Sequence, residues 1–338
     1  MDNRKNRECS LKKSNLTRKE NKKLLVKIID YLFLTRPVLM LPIWATYFAG
    51  IHGLMLGKEF SLFNVPPVSL WNILSFSILM SAFFVLNQIS DVQTDAINEK
   101  LYILPKGKIT KFGAWIFAFG LILFSLMKND VSTAPRFLLF SMAVIILGFG
   151  YNFSPVRWSA RPFAGLFVHF FGAAFCYSIG WIDAGGEFSP NTIIFSIPIV
   201  CGFCAIYLLT TIPDADGDRK TDKITFCVRF GKIKTLNFAM IFMILSAVFA
   251  IYLHDHLVAF AAFAGAVMIS RARIYFNQNR DLLQAIRFSI LYLLIAMSLQ
   301  FPILFFLTAV VIVASRLYYH FRYKKKYQIK RNQEKIKK

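Results

Sequence analysis

The chain has 338 residues, 56 % of them apolar with 36 Phe, and a formal net charge of +22. That composition excludes a disordered chain, and the long uninterrupted apolar runs exclude a soluble domain with alternating patterning. The positive charge raises nucleic acid as a partner, but Lys and Arg concentrate at the two tails and in alternate linkers, with no helix-turn-helix, zinc-finger or RNA-binding signature beside them, so no nucleic acid is expected.

The basic stretch 1–34 reads as a disordered, solvated N-terminal tail on the cytoplasmic side, with Lys12, Lys13, Lys22 and Lys23 serving as topology signal, or alternatively as attraction to anionic headgroups. No cleavable signal peptide is expected, because the first apolar run has no small-residue cleavage site. Ten apolar segments follow, near 38–56, 69–90, 112–127, 134–151, 163–182, 192–212, 236–253, 257–270, 288–300 and 301–318. Roughly 20 helical residues cross a bilayer core, so the chain reads as an all-α, polytopic transmembrane bundle of nine to ten helices. The 257–270 and 288–300 segments look short for full spans, and Pro302 separates the last two. The transmembrane domain is expected over 35–320, with a basic C-terminal tail over 321–338. A ten-helix count puts every strongly basic linker and both tails on the cytoplasmic side.

Two acidic clusters stand at the cytoplasmic ends of the second and sixth segments. The first, N-Q-I-S-D-V-Q-T-D, spaces Asn87, Asp91 and Asp95 four apart; the second, D-A-D-G-D, carries Asp214, Asp216 and Asp218. Residues four apart share one helix face, and oxygen ligands from two such faces suit a hard divalent cation. Carboxylates next to lipid are costly unless paired, metal-bound or functional. Each cluster leads into a basic linker, as a metal-bound polyphosphate would require: the metal needs carboxylates and the remaining phosphate charge needs cations. Asp216 reads equally as a ligand and as a solvated turn acid. Cys201-Gly-Phe-Cys204 lies in an apolar run and reads as buried small residues, and His169 reads as a satisfied core histidine.

These residues resemble the UbiA-type intramembrane prenyltransferases. The match comprises Asn87, Asp91 and Asp95 with Asn98 and a Pro105-x-Gly107 turn, then Asp214 and Asp218 followed by Thr225, Val228, Arg229 and Gly231. Thr35-Arg36-Pro37 resembles the family's opening, and Tyr151, Ser154, Pro155 and Arg157 its fourth-helix end; the set spans 35 to 231 in family order. Departures are Gln88 where an Asp is frequent, Tyr102-Ile103-Leu104 before the turn, and Asp222 where a Gly is common.

The resemblance implies Mg²⁺-dependent transfer of a prenyl group from a polyprenyl diphosphate to an acceptor. That acceptor is an aromatic or quinone precursor, or another compound of a lipid pathway, and the residues do not choose among them. Asp91, Asp95, Asp214 and Asp218 are the expected catalytic carboxylates, and with Asn87 they form the expected Mg²⁺ ligand set. Lys106, Arg157 and Lys220 are candidates for diphosphate contact, Tyr151 for substrate contact, and Asp222 for a further carboxylate four residues beyond Asp218. The Phe-rich interior would exclude water from an allylic cation. The chain is expected in the bilayer as an integral multi-pass protein whose active site faces the cytoplasm. The competing reading is an ion-coupled transporter, which needs its acids at mid-membrane on broken helices.

Overall fold

A computed structural model describes residues 20–56, 70–98, 103–128, 134–275 and 279–323. Most of the basic N-terminal stretch (1–19), the C-terminal lysine cluster after 323, and Lys58, Lys100 and Tyr102 lie outside the described residues.

Among the described residues all regular structure is helical. Helix α1 covers residues 20–34. Then follow α2 (Met40–Met55), α3 (Leu70–Ser90), the short α4 (Val92–Ile97), α5 (Lys111–Lys128) and α6 (Ala134–Ala143), which runs on as a π-helical turn over Val144–Gly150. The second half holds α7 (Pro162–Asp183), α8 (Pro190–Lys220), the short α9 (Phe226–Phe230), α10 (Lys232–Tyr252), α11 (His256–Ile274), α12 (Asn279–Gln300) and α13 (Pro302–Tyr323). Eight of these are long and apolar enough to cross a membrane, and a shorter apolar helical stretch covers Ala134–Gly150. Large apolar side chains face outward: Phe263 is 68 % exposed, and Phe305 and Phe306 64 % each. Such a surface is stable in lipid rather than in water. The chain is an integral, multi-pass membrane protein.

Each of the ten apolar segments corresponds to a helix, but the two that looked short do not end where their apolar runs end. His256–Ile274 has 19 residues and Asn279–Gln300 has 22, both of spanning length. The reason is that the helices continue through their arginine-bearing flanks, past Arg271 and Arg273 in one and from Arg280 onward in the other. Long Arg stems reach back to the interface without breaking the helix. Pro302 does start a new helix, at its first position, where the missing N–H has no intrahelical partner to lose.

Helix packing closes a ring in which α2 meets α7, α7 meets α8, α8 meets α10, α10 meets α11, α11 meets α12, and α12 returns to α2. The α2–α7 contact is a backbone approach. A Cβ on Gly180 would stand 1.9 Å from the Tyr47 carbonyl oxygen, and one on Gly50 2.0 Å from that of Tyr177. Small residues let membrane helices pack this closely. Gly180→Ala is therefore expected to separate the pair, lowering the unfolding midpoint in detergent by about 2–3 kcal/mol of stability or abolishing expression; an unchanged midpoint would refute the contact.

The two ends of the bundle differ in charge. One carries the buried pairs Arg136–Asp183 (3.3 Å), with Tyr47 donating to Asp183 (2.8 Å), and His52–Asp255 (3.2 Å), with Gln300 bonded to the same histidine. The other carries the Lys- and Arg-bearing connections at 103–110, 157–161 and 219–234. At that end α1 is tied to α13: Arg322 donates to Asp30 at 2.9 and 2.8 Å, Tyr318 donates to the same carboxylate at 2.8 Å, and Phe33 stacks on the Tyr318 ring at 3.8 Å. The basic stretch before residue 35 is therefore not a disordered tail throughout: residues 20–34 form a helix held to the bundle by the Asp30 and Phe33 contacts.

Candidate active site

The length of α8 places the second acidic cluster. Its 31 residues make a rod of about 46 Å at 1.5 Å per residue, against a hydrocarbon core of about 30 Å. The surplus is about three turns, enough to carry Asp214 through Lys220 to the membrane surface. On the facing side the chain bends at Asp91, between α3 and α4, with φ −101° and ψ 13°. Helical hydrogen bonds still cross the bend, from Asp91 N–H to Asn87 O (3.0 Å) and from Asp95 N–H to Asp91 O (2.8 Å). The four-residue spacing of Asn87, Asp91 and Asp95 therefore keeps its helical sense.

Three contacts bring the two clusters together. Thr94 and Thr221 share a hydroxyl hydrogen bond of 3.0 Å. Gly217 lies against Asn98, where a Cβ would fall 2.2 Å from the amide oxygen. Lys223 reaches across and donates to Asp91 Oδ2 at 2.8 Å. Both partners of that ion pair are nearly buried, with side-chain exposures of 8 % and 12 %.

Around the pair lies a connected polar layer. Asn87 donates to Asp91 Oδ2 (3.2 Å) and to Asn152 Oδ1 (3.1 Å), and its own amide oxygen accepts from Arg36 (3.3 Å). Asn152 is anchored by donation to the Gly148 and Leu147 carbonyls at 2.8 and 3.2 Å, on the π-helical turn. Asp218, 4 % exposed, accepts from the Thr225 hydroxyl at 3.1 Å, and Asp214 and Asp91 both lie within its electrostatic reach. Tyr151 lies within reach of Asp91, Asp218 and Arg36. Its ring meets His169 edge-on at 5.5 Å, and His169 stacks on Tyr207 at 3.7 Å while donating to the Gly165 carbonyl. His169 is thus a satisfied histidine inside an aromatic group beneath the carboxylates.

The remaining sequence candidates lie on the same end of the bundle. Asp95 and Asp214 are half-buried, while Lys220 is exposed in the last turn of α8 and Arg157 is half-buried at φ 38°. Lys106 is exposed, its ammonium 5.6 Å from the ring centre of Tyr323 at the end of α13. Asp216 points to solvent beside Arg219 (3.9 Å). Helical spacing does not extend from Asp218 to Asp222, because α8 ends at Lys220 and Asp222 turns left-handed at φ 53° on the surface. A Gly is at ease in that backbone region and an Asp tolerates it. This turn is what swings Lys223 back under the helix end, where its N–H bonds the Asp218 carbonyl at 2.9 Å.

Gln88, the other departure, faces away from the site: it donates to the Leu34 and Phe84 carbonyls at 2.6 and 3.1 Å and fastens the end of α1 to α3. Cys176, Cys201, Cys204 and Cys227 are free and buried. Burial pushes the Cys227 thiol up, away from reactivity.

Arg36, Asn152 and Lys223 belong to this layer although their sequence context marked none of them as functional. Arg36 lies inside the Thr35-Arg36-Pro37 opening, Asn152 directly follows Tyr151, and Lys223 is one of several Lys and Arg residues in the basic linker after α8.

The donor set of carboxylates, amide oxygens and hydroxyls is hard, as Mg²⁺ requires. Among the described residues no three His, Cys, Asp or Glu side chains converge tightly enough to cage a metal alone.

A multi-pass helical bundle with two acidic helix ends joined across one face places a carboxylate-bearing polar layer at one end of a membrane-spanning protein. The chain belongs to the UbiA prenyltransferase family, whose family model matches residues 40–293. Among solved structures it is similar to a UbiA homolog from Archaeoglobus fulgidus bound to GPP and Mg²⁺, with a TM-score of 0.59 and 21 % identity over 80 % of this chain and 99 % of that one. It is also similar to a UbiA homolog from Aeropyrum pernix K1, with a TM-score of 0.58 and 13 % identity over 78 % and 97 % of the two chains. A structure of digeranylgeranylglyceryl phosphate synthase matches with a TM-score of 0.56 and 18 % identity over 82 % and 98 %. No curated protein matches the chain significantly.

Proposed function

We propose that this chain transfers a prenyl group from a polyprenyl diphosphate to an acceptor of a lipid pathway, an aromatic or quinone precursor being the leading class. The observation that carries the reading is the Asp91–Lys223 pair at the junction of the two acidic helix ends, with Asp218 beside it. Acids and cations interleaved in one layer over an apolar bundle suit a diphosphate whose tail lies in the membrane. The Archaeoglobus homolog has been solved with GPP and with DMAPP, each together with Mg²⁺.

In this reading Asp91, Asp95, Asp214 and Asp218 would hold Mg²⁺, which would supply charge neutralisation of the diphosphate leaving group. Asn87, expected from the sequence as a further ligand, turns its amide nitrogen to Asp91 and its oxygen to Arg36, so here it positions the Asp91 carboxylate instead. The chain's own cations take the rest of the phosphate charge. Lys223 and Arg36 stand at the carboxylate layer, and Lys220, Arg157 and Lys106 are further candidates on the same end of the bundle. Arg36 and Asn152 orient Asn87, so that its amide oxygen faces the arginine and its amide nitrogen faces Asp91. Tyr151, with His169 and Tyr207 behind it, lies next to the carboxylates and offers ring faces to a developing allylic cation. Asp222, outside the helix, contributes the turn that aims Lys223. The basic connections on the same end of the bundle orient the site toward the cytoplasm by the positive-inside rule. The transporter reading would want carboxylates at mid-membrane, whereas α8 carries its own beyond the span.

The test is turnover of purified protein in nanodiscs with geranyl and geranylgeranyl diphosphate and a panel of aromatic, glycerophosphate and sugar-phosphate acceptors. Diphosphate release that needs Mg²⁺, is abolished by EDTA and returns on adding the metal back is the expected result. Release unaffected by EDTA would overturn the metal assignment, and no reaction with any donor would overturn the transferase reading.

A further inference from the structure

A second charged feature lies outside the carboxylate layer. Between α1, the turn at 103–110 and the end of α13 runs an open groove of about 460 Å³, lined by Lys22, Lys23, Val26, Lys27, Asp30, Lys108 and Arg322. Five cations face one acid there, and that acid is already engaged by Arg322 and Tyr318. Four lysines are left on the walls of one concavity. Lysines on successive turns of one helix face repel each other, so the arrangement calls for an anion between them.

The opposite face of α1 says which anion. Leu24, Leu25, Ile28 and Leu32 are exposed there, each between 57 and 60 %. On a helix, positions 22, 23, 26, 27 and 30 share one side, and 24, 25, 28 and 32 share the other. An amphipathic helix with exposed leucines on one face and lysines on the other lies in the membrane interface, lysines at headgroup level. A site for a soluble anion has no use for that outer face.

We propose that this groove binds the phosphate of an anionic phospholipid headgroup, with Lys22, Lys23, Lys27 and Lys108 as its ligands, while the leucine face of α1 rests on the acyl chains of the surrounding bilayer. Through the Arg322–Asp30–Tyr318 contacts the bound lipid would fasten α1 to α13. The proposal stands independently of the transferase reading.

The experiment uses the full chain in nanodiscs of phosphatidylcholine with and without phosphatidylglycerol, and reads retained lipid by native mass spectrometry. The wild type is expected to retain phosphatidylglycerol over phosphatidylcholine by about tenfold or more, as several lysines near an anionic headgroup imply. The variant Lys23→Gln/Lys27→Gln/Lys108→Gln is expected to lose that preference. Its thermal midpoint in pure phosphatidylcholine serves as the folding control, and should it misfold, the wild-type comparison of the two lipids decides alone. Equal retention of both lipids by the wild type, or undiminished preference in the folded variant, would overturn the site. Inorganic pyrophosphate that saturates the groove in phosphatidylcholine discs and expels phosphatidylglycerol would assign it to a soluble polyphosphate instead.

Discussion

Asp218→Asn is expected to reduce Mg²⁺-dependent diphosphate release by roughly 10²–10³-fold, about 3–4 kcal/mol of transition-state stabilisation, the scale at which removing one preorganised electrostatic group acts. The substitution keeps the size of the side chain and its ability to accept from Thr225 at the position now 3.1 Å away. It removes only the charge. Asp218 is 4 % exposed at the end of α8 and feels Asp214 and Asp91. The amide should therefore leave the helix end and its cap to Thr221 and Lys223 in place. The measurement is initial rate against Mg²⁺ concentration, alongside size-exclusion profile and thermal midpoint. A rate within threefold of wild type would take Asp218 out of the site. A matching loss in Asp91→Asn with no loss in Asp222→Asn would separate the buried layer from the exposed turn.

Lys223→Met should act on stability before chemistry. Asp91 and Lys223 are nearly buried and 2.8 Å apart. Removing one partner of such a pair strands the other charge and costs about 3–5 kcal/mol, whereas replacing both by uncharged groups is close to neutral. Lys223→Met alone should therefore lower the unfolding midpoint strongly in metal-free detergent, and Asp91→Asn/Lys223→Met should recover most of the loss. The single variant should also gain more stability from added Mg²⁺ than the wild type does, because a ligand that binds only the folded state stabilises it by mass action and the stranded carboxylate no longer has a lysine to give up. Equal midpoints for wild type and Lys223→Met would show that the pair contributes nothing, and additive losses in the double variant would show that the two residues do not interact.

What the sequence determined by itself was whatever depends on hydropathy and near-neighbour spacing. Apolar runs long enough for a bilayer fix the helices, because a backbone in lipid satisfies its hydrogen bonds only in a helix or a closed barrel, and continuous runs lack the alternation of barrel strands. Hence the all-helical bundle, the break at Pro302 and the two acidic helix ends were legible, and the family order of Asn87, Asp91, Asp95, Asp214 and Asp218 pointed to a membrane transferase. Spacing misled where it assumed continuity: 257–270 and 288–300 extend through their arginines into full-length helices, and the helix carrying Asp218 stops before Asp222. Only the tertiary structure decided which charges are buried. Lys223 is indistinguishable in the sequence from Lys220, yet the left-handed turn at Asp222 folds one inward onto Asp91 and leaves the other in solvent. The tie between Arg36, Asn87 and Asn152 joins residues 51 and 65 positions apart, and the lysine groove needs α1 and α13 side by side. Such long-range pairings are set by side-chain packing and by the cost of stranding a polar group away from water, which act only once the helices have assembled.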